Sequence, residues 1–183
     1  MRADVLPLSV FGSNVRGIAR YSEWERIRLL VSARAGKRCE ICEGESHGPR
    51  QKVQHPDCHE IWRFELRDGA ITQTLVGFIA LCKKCHDTQH VGRSPDIEEA
   101  ERVLARVNGW TEDEAHADVR RAFARLKFLE DSDIGLDLSI LVGQIVVHGA
   151  PSLVFTSQER SSYGNSWART KKAPQNGELD LGL

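Results

Sequence analysis

Cysteine is concentrated in one central stretch of the chain. Two Cys-x-x-Cys pairs, Cys39/Cys42 and Cys82/Cys85, are separated by residues 43–81. Zinc binds four thiolates tetrahedrally, and each Cys-x-x-Cys turn can present two of them side by side. The spacing therefore predicts a structural zinc site, since four thiolates leave no position open for water. The alternative is a group of buried or redox-active cysteines that hold no metal.

The same stretch contains further side chains that can bind a metal ion or transfer a proton. They are His55, Cys58, His59, His86 and His90. His86 and His90 are four residues apart, which places them on one side of a helix. A structural zinc site needs none of these groups, so the sequence predicts a second, reactive centre.

Three strings of residues carry a more specific signal. They are Cys39-x-x-Cys42, Cys58-His59-Glu60 and Leu81-Cys82-x-x-Cys85-His86-x-x-x-His90. Together they resemble the motifs of the HNH endonucleases, the ββα-metal nucleases, and the surrounding helices are similar to those of bacterial HNH-like proteins. The resemblance implies a treble-clef-like zinc unit. It also implies that a β-hairpin and the helix after it deliver the active-site residues.

The resemblance also implies a role for each reactive residue. His59 matches the general base that deprotonates the attacking water, and histidine suits this role because it titrates near neutral pH. Cys58, His86 and His90 match ligands of a second divalent ion, Zn²⁺, Mn²⁺, Ni²⁺ or Mg²⁺, which would stabilise the leaving oxygen. A thiolate at position 58 favours zinc over magnesium, and His55 is the alternative ligand there.

The chain departs from the HNH pattern where the family has an asparagine that orients the base. Gly77 stands near that position, five residues before Cys82, and has no side chain for the task. Glu60, Gln73 or a backbone carbonyl would have to orient His59 instead. The alternative interpretation is that the histidines are structural or simply exposed on the helix surface.

An N-terminal helix is predicted after an irregular lead-in over residues 1–21. Ser22 and Glu25 match a capping box, apolar residues follow at helical spacing, and Gly36 is a stop signal. Trp24 and Trp62 are predicted as core residues. Basic residues on this helix, just beyond it and in the second Cys-x-x-Cys pair predict contacts to phosphates without base reading. The alternative is a solvated charged surface. These residues are Arg26, Arg34, Lys37, Arg38, Lys83 and Lys84.

Local signals predict the remaining elements. They are a β-hairpin turning at Asp68-Gly69, a helix from Cys85 to His90, a helix from Ser94-Pro95 to Asn108-Gly109, a helix with a Thr111/Glu114 capping box, and a short strand or two within 136–147. The two long helices would form a helical hairpin that covers the metal unit, and in an alternative interpretation this hairpin docks onto another protein.

Composition sets the wider limits. The chain of 183 residues suits one domain, and its net charge of -1 gives no general argument for a polyanionic partner. Five cysteines, an odd number, lie among histidines, which favours metal-bound thiolates in a reducing cytoplasm over disulfides. No apolar run is long enough to span a bilayer, and no signal-peptide pattern is present, so no membrane partner is expected.

These signals together predict an α+β fold, with a small zinc-stapled unit flanked by an N-terminal helix and a C-terminal helical hairpin. The predicted segments are the lead-in (1–21), the HNH-like unit (22–92), the helical hairpin with a short strand (93–147) and a flexible tail (148–183). The predicted function is metal-dependent hydrolysis of DNA, with RNA as an alternative substrate. The competing prediction is an inactive zinc-binding unit that binds nucleic acid or a protein partner.

Overall fold

A computed structural model describes residues 1–47, 52–67, 69–94, 96–147, 150 and 152–163. Within these residues the chain forms six α-helices and two β-sheets, which confirms the predicted α+β class. Three predicted features lie outside the described residues: the hairpin residue Asp68, the helix-start residue Pro95 and the part of the predicted tail that begins at residue 164.

Helices and strands occur in groups along the chain, and the two longest strands follow one another. The helices are α1 (Val15–Ile18), α2 (Tyr21–Arg34), α3 (Lys83–Gln89), α4 (Ile97–Asn108), α5 (Glu112–Leu129) and α6 (Ser157–Tyr163). The strands are β1 (Ser46–His47), β2 (Val53–Gln54), β3 (Asp57–Arg67), β4 (Ala70–Leu81), β5 (Ile134–Asp137) and β6 (Val154–Phe155).

The predicted lead-in contributes to the core. It contains a 3₁₀ turn over Leu8–Val10 and the short helix α1, whose first turn is capped by the Asn14 side chain accepting a hydrogen bond from the Gly17 N–H at 2.8 Å. A Cβ at position 17 would lie 2.0 Å from the carbonyl oxygen of Gly12, so glycine permits this close approach. The buried residues of the segment are Ala3, Val5, Val10, Val15, Ile18 and Ala19.

The start of α2 differs from its prediction. Its N-cap is Arg20 rather than Ser22, and Glu23 accepts the hydrogen bond of the Arg20 backbone N–H at 3.0 Å. The predicted capping residue Glu25 instead binds the Arg28 guanidinium with both carboxylate oxygens, at 2.6 and 2.5 Å. The helix therefore begins at Tyr21, and Glu23, three residues after the N-cap, closes its N-terminal end.

A long β-hairpin forms the centre of the fold, as the sequence predicted. β3 and β4 pair antiparallel from Asp57↔Leu81 to Arg67↔Ala70, with an irregularity between Ile61 and Trp62 that shifts the register. The chain passes from the end of β4 directly into α3. The order hairpin, then helix, therefore places both Cys-x-x-Cys pairs and the histidines in one region.

The predicted helical hairpin follows, and α4 packs against both α5 and α3. The Asp96 side chain caps α4, where the sequence predicted a start at Ser94 and the proline after it. Gly109, with φ of +66°, ends α4 as predicted, since glycine adopts this left-handed conformation without strain. The predicted capping box of α5 is confirmed: Thr111 and Glu114 exchange backbone-to-side-chain hydrogen bonds.

The last part of the chain returns to the central sheet. β5 adds parallel to β4, and β6 adds antiparallel to β5, which gives the strand order β3-β4-β5-β6. The predicted flexible tail does not fit residues 152–163, because Phe155 and Arg160 are buried there. The Arg160 guanidinium donates to Ser13 and to the Gln73 side chain, so it ties α6 to the lead-in and the sheet.

Candidate metal centres

The four predicted zinc-binding cysteines come together at the base of the β-hairpin. Their sulfur atoms all lie within 4.8 Å of one another, and the Cys42 and Cys82 sulfurs are 3.7 Å apart. Cys39 and Cys42 lie in the turn after α2, Cys82 is the N-cap of α3, and Cys85 lies in its first turn. Four thiols at this spacing could hold a metal ion, consistent with structural zinc.

Hydrogen bonds favour the thiolate form of Cys39, whereas burial raises the pKa of Cys82 and the hydrogen bond to Cys39 raises the pKa of Cys85. The Cys85 thiol, together with the backbone N–H groups of Cys42, Cys82 and Ile41, lowers the pKa of Cys39 by donating hydrogen bonds to its sulfur. Metal ligation requires deprotonated sulfur, so these donors prepare a ligand rather than a neutral core residue. Cys39, Cys82 and Cys85 are buried, which leaves only Cys42 exposed.

A backbone link holds the first pair of cysteines against β4. The Glu40 N–H donates to the Ala80 carbonyl at 2.9 Å, and the Ala80 N–H donates to the Glu40 carboxylate at 2.7 Å. Arg34 binds the same carboxylate at 2.8 Å. The turn that carries two of the thiols is therefore fixed to the strand that leads to the other two.

The second cluster joins three of the predicted histidines. His59 on β3, His86 in α3 and His90 at the C-terminal cap of α3 have ligand nitrogens within 4.8 Å of one another. The ring centroids are 5.3 Å apart for His59–His86, 4.9 Å for His59–His90 and 4.8 Å for His86–His90. Three neutral imidazoles at this spacing could hold a divalent metal ion and leave a further position open.

A carboxylate that the sequence analysis did not select supports one of these rings. Asp57 Oδ2 lies 3.1 Å from His86 Nδ1, and the hydrogen bond from His86 lowers the pKa of Asp57. A carboxylate on the far nitrogen of an imidazole fixes its tautomer and orients it toward a metal. Alternation along β3 was the available signal, because Asp57 and His59 are two residues apart and lie on one side of the strand.

Cys58 lies apart from this cluster. Among the described residues the converging ligand atoms belong to the three histidines, and the Cys58 side chain is half-buried against the core that contains Trp24 and Leu75. Burial raises the pKa of Cys58 to about 12, with the Glu60 charge adding to the effect. The Cys58 sulfur is therefore not among the converging ligand atoms, although Cys58 also lines the cavity beside the three histidines.

The other residues considered for the site are engaged elsewhere. His55 Nδ1 is 2.8 Å from the Ser32 hydroxyl. Glu60 accepts a hydrogen bond from the Arg16 backbone N–H at 3.2 Å, and Gln73 accepts one from Arg160 at 2.8 Å. Within the described residues, His59 Nδ1 is buried and has no hydrogen-bond partner. Among the described residues, no hydrogen bond with Glu60, Gln73 or a backbone carbonyl orients His59 Nδ1.

Burial shapes the protonation of the histidine cluster. Burial, together with the charges of His90 and His86, lowers the pKa of His59 to about 3. Burial also lowers the pKa of His90 to about 4, with contributions from His86 and Arg93. At neutral pH these two rings are therefore neutral, which is the form that binds metal ions.

A cavity of about 340 Å³ opens beside the three imidazoles. Its lining includes the aromatic residues Phe11, Trp24 and Trp62. Trp24 is nevertheless a core residue, 7% exposed, and Trp62 packs against the same core, in agreement with the prediction for both. The histidine cluster is therefore accessible to a ligand, in contrast to the three buried thiols of the other cluster.

Most of the predicted phosphate-binding residues have carboxylate partners. The ion pairs are Arg34–Glu40, Arg38–Glu45, Lys83–Asp87 and Lys84–Glu99. Arg26 donates instead to the Gln144 carbonyl. All six residues remain candidate contacts, but four of them would bind phosphate in competition with a neighbouring acidic group.

The comparisons with known proteins leave the family open. No protein-family model, no curated protein and no solved structure matches the chain. Across the part of the chain that the structure describes, no helix combines the length and apolar character needed to cross a membrane. The resemblance to HNH endonucleases therefore rests on the cysteine and histidine strings themselves.

Proposed function

We propose that the chain is a metal-dependent phosphodiester hydrolase of the HNH type that acts on nucleic acid. The observation that carries this proposal is the convergence of His59, His86 and His90 on one point beside a cavity. The order of the elements supports it, because the β3–β4 hairpin supplies one ring and the following helix supplies two. This is the arrangement expected of a ββα-metal unit.

In this proposal the three imidazoles are the ligands of the catalytic ion. Catalytic zinc sites commonly have three protein ligands and an open fourth position. When bound, a divalent ion lowers the pKa of water to about 7 and offsets the charge that develops on phosphate oxygens. His59 then serves as a ligand, whereas the HNH resemblance predicts a general base. Its unpartnered Nδ1 and low pKa favour the ligand role.

The remaining residues of the site have supporting roles. Asp57 holds His86 in position through its Nδ1. The four thiols hold a structural zinc ion in a treble-clef-like unit, which keeps the start of α3 against the hairpin. The position of His86, one residue after Cys85, makes the reactive centre depend on that anchor.

The decisive experiment measures cleavage and metal content together. Purified protein is incubated with supercoiled plasmid and with single-stranded DNA in the presence of Zn²⁺, Mn²⁺, Ni²⁺ or Mg²⁺. We expect cleavage and two bound ions for the wild type, and for His59→Ala we expect no cleavage and one bound ion. The matched control is His116→Ala, because His116 is exposed on α5, where it pairs with Glu101.

Each result has a definite meaning. Cleavage that is lost in His59→Ala while two ions are retained would assign His59 as the general base instead of a ligand. A wild-type protein that binds nucleic acid and never cuts it contradicts the hydrolase proposal.

The second candidate function is an inactive zinc-binding unit that binds nucleic acid or a protein partner. Gly77 favours it, because this residue lacks the side chain that orients the base in HNH enzymes. It predicts retention of nucleic acid or a protein, one bound ion and no product in the same assay.

A further inference from the structure

Two guanidinium groups share the cavity with the three histidines. Arg16 in α1 and Arg93 in the turn after α3 both line it. We propose that Arg16 and Arg93 bind the phosphodiester of an unpaired nucleic-acid strand and hold it against the imidazoles. The choice of substrate rests on the proposed function. Neither arginine is among the basic residues that the sequence predicted as phosphate contacts.

Arg93 carries a charge that is available to an anion. Its guanidinium lies over the Phe11 ring, 5.5 Å from the centroid, and within the described part of the chain no carboxylate forms an ion pair with it. A guanidinium stacked on an aromatic ring keeps its outer N–H groups free to bind two phosphate oxygens. The four ion-paired residues on α2, α3 and the turns beside them lack this availability.

Arg16 is placed from the opposite side by the lead-in. Its backbone N–H donates to the buried Glu60 carboxylate at 3.2 Å, while its exposed side chain lines both this cavity and the neighbouring one beside Asp57 and His86. Glu60 is the acidic residue of the cavity lining, and its oxygen is directed to the α1 backbone. The lining therefore presents cations and imidazoles to a ligand, which selects for an anion.

The dimensions of the cavity define the form of the substrate. A volume of about 340 Å³ is at the small end of the range for ligand sites, large enough for a phosphodiester with one attached nucleoside. Phe11 and Trp62 add apolar surface beside the arginines. A duplex is stiff and keeps its bases stacked, whereas an unpaired strand can bend one phosphodiester into a recess.

The test measures binding and cleavage separately, with zinc-loaded full-length protein. The probes are a fluorescent single-stranded oligonucleotide, the same sequence in a hairpin duplex, and inorganic phosphate as competitor. We expect tighter binding of the single strand, competition by phosphate, and about a tenfold loss of affinity in Arg93→Gln and in Arg16→Gln. Arg93→Glu should lose more. The control is Arg106→Gln, an exposed residue of α4 away from this cavity, which should bind like the wild type.

The outcomes separate this inference from the proposed function. Loss of binding in the arginine variants with unchanged circular dichroism and zinc content supports the inference, even where no strand is cut. Wild-type affinity in Arg93→Gln and Arg93→Glu overturns it, even where the protein proves to be a nuclease. Equal affinity for the duplex and the single strand overturns the assignment to an unpaired strand.

Discussion

The thiol cluster and the histidine cluster share helix α3, yet they have opposite surroundings. Cys85 and His86 are consecutive residues, and consecutive helix positions point about 100° apart. Cys85 is fully buried beside Leu81 and Val103, whereas His86 borders a cavity. The first turn of α3 thus contributes one residue to the thiol cluster, the closed centre, and one to the histidine cluster, the open centre. The direction in which each side chain leaves the helix determines its exposure.

The difference in ligand number matches the difference in exposure. Four thiols would satisfy a zinc ion completely, so a zinc ion in the closed centre would contribute to folding and offer nothing to a substrate. Three imidazoles would leave a position open, so under the proposed function the histidine centre contributes to a reaction and little to folding. Substitutions at the histidine centre should therefore reduce activity with little loss of stability, whereas substitutions at the thiol centre should reduce both.

The largest effect is expected from the closed centre. Cys85→Ser removes one of four ligands from a buried cluster, and metal binding to such clusters is part of the folding free energy. We expect the free energy of unfolding to fall by at least about 3 kcal/mol, because zinc-dependent units often unfold without their ion. Thermal unfolding followed by circular dichroism, with zinc analysis of the same samples, measures this.

Cys58→Ser is the matched control for that substitution. Cys58 is half-buried and lies outside the thiol cluster, so we expect a cost of only about 1 kcal/mol and no loss of either ion. Equal thermal unfolding midpoints for Cys85→Ser and Cys58→Ser would show that the thiol cluster is not a structural metal site. Loss of the second ion in Cys58→Ser would restore Cys58 as a catalytic ligand.

A smaller effect, confined to the open centre, is expected from Asp57→Asn. The amide keeps the size of the side chain but loses the charge that holds His86 through Nδ1. Changes of this kind at a carboxylate behind a metal-binding histidine cost about 10- to 100-fold in metal affinity or activity. Chelator competition should show weaker binding of the second ion only. A loss of zinc from the thiols would contradict the separation of the two centres.

Lowering the pH should also distinguish the two centres, in protein that carries an ion at the thiol cluster and none at the histidine cluster. Burial lowers the pKa of His59 to about 3, below the value of about 6.5 in the unfolded chain. Between about pH 3 and pH 6.5 the His59 ring is protonated in the unfolded chain and neutral in the folded protein. The contribution of His59 to the free energy of unfolding is therefore present above about pH 6.5 and is lost as the pH falls. From pH 7 to pH 5 this loss is about 2 kcal/mol.

His59→Gln isolates that contribution, because glutamine does not titrate. Urea unfolding at pH 7 and pH 5 should show a smaller loss of stability in the variant than in the wild type. His90 titrates in the same direction and is present in both proteins, so it does not affect the difference. The same pH dependence in both proteins would show that His59 is not buried in neutral form.

Signals that act over a few residues predicted much of the fold. The paired cysteines, the β-hairpin, the Thr111/Glu114 capping box and the end of α4 at Gly109 all depend on neighbouring residues. Cys58 is not among the converging ligand atoms of the described residues, whereas the alternation of β3 places Asp57 on the same side of the strand as His59. Alternation along a strand therefore outweighs adjacency in a motif.

Contacts between distant segments could not be predicted in the same way. The buried Arg160 guanidinium reaches carbonyl groups of β5 and the side chains of Ser13 and Gln73, and a polar composition gives no sign of this. Likewise Arg16 belongs to a segment predicted as an irregular lead-in, yet it lines the cavity beside the histidines. These residues are positioned by tertiary packing, and tertiary packing between distant segments leaves no periodic pattern in the sequence.

The smallest effect is expected at Lys84, which shares α3 with both centres. Its ammonium lies 3.2 Å from the Glu99 carboxylate, and both groups are exposed to solvent. Exposed ion pairs contribute little to stability, and a paired cation must leave its partner to bind phosphate. Lys84→Gln should therefore leave both ions bound and the unfolding midpoint unchanged, and it should weaken binding of a single-stranded oligonucleotide by less than about twofold. A tenfold loss, equal to that expected for Arg93→Gln, would instead place the nucleic acid across the surface of α3, outside the cavity.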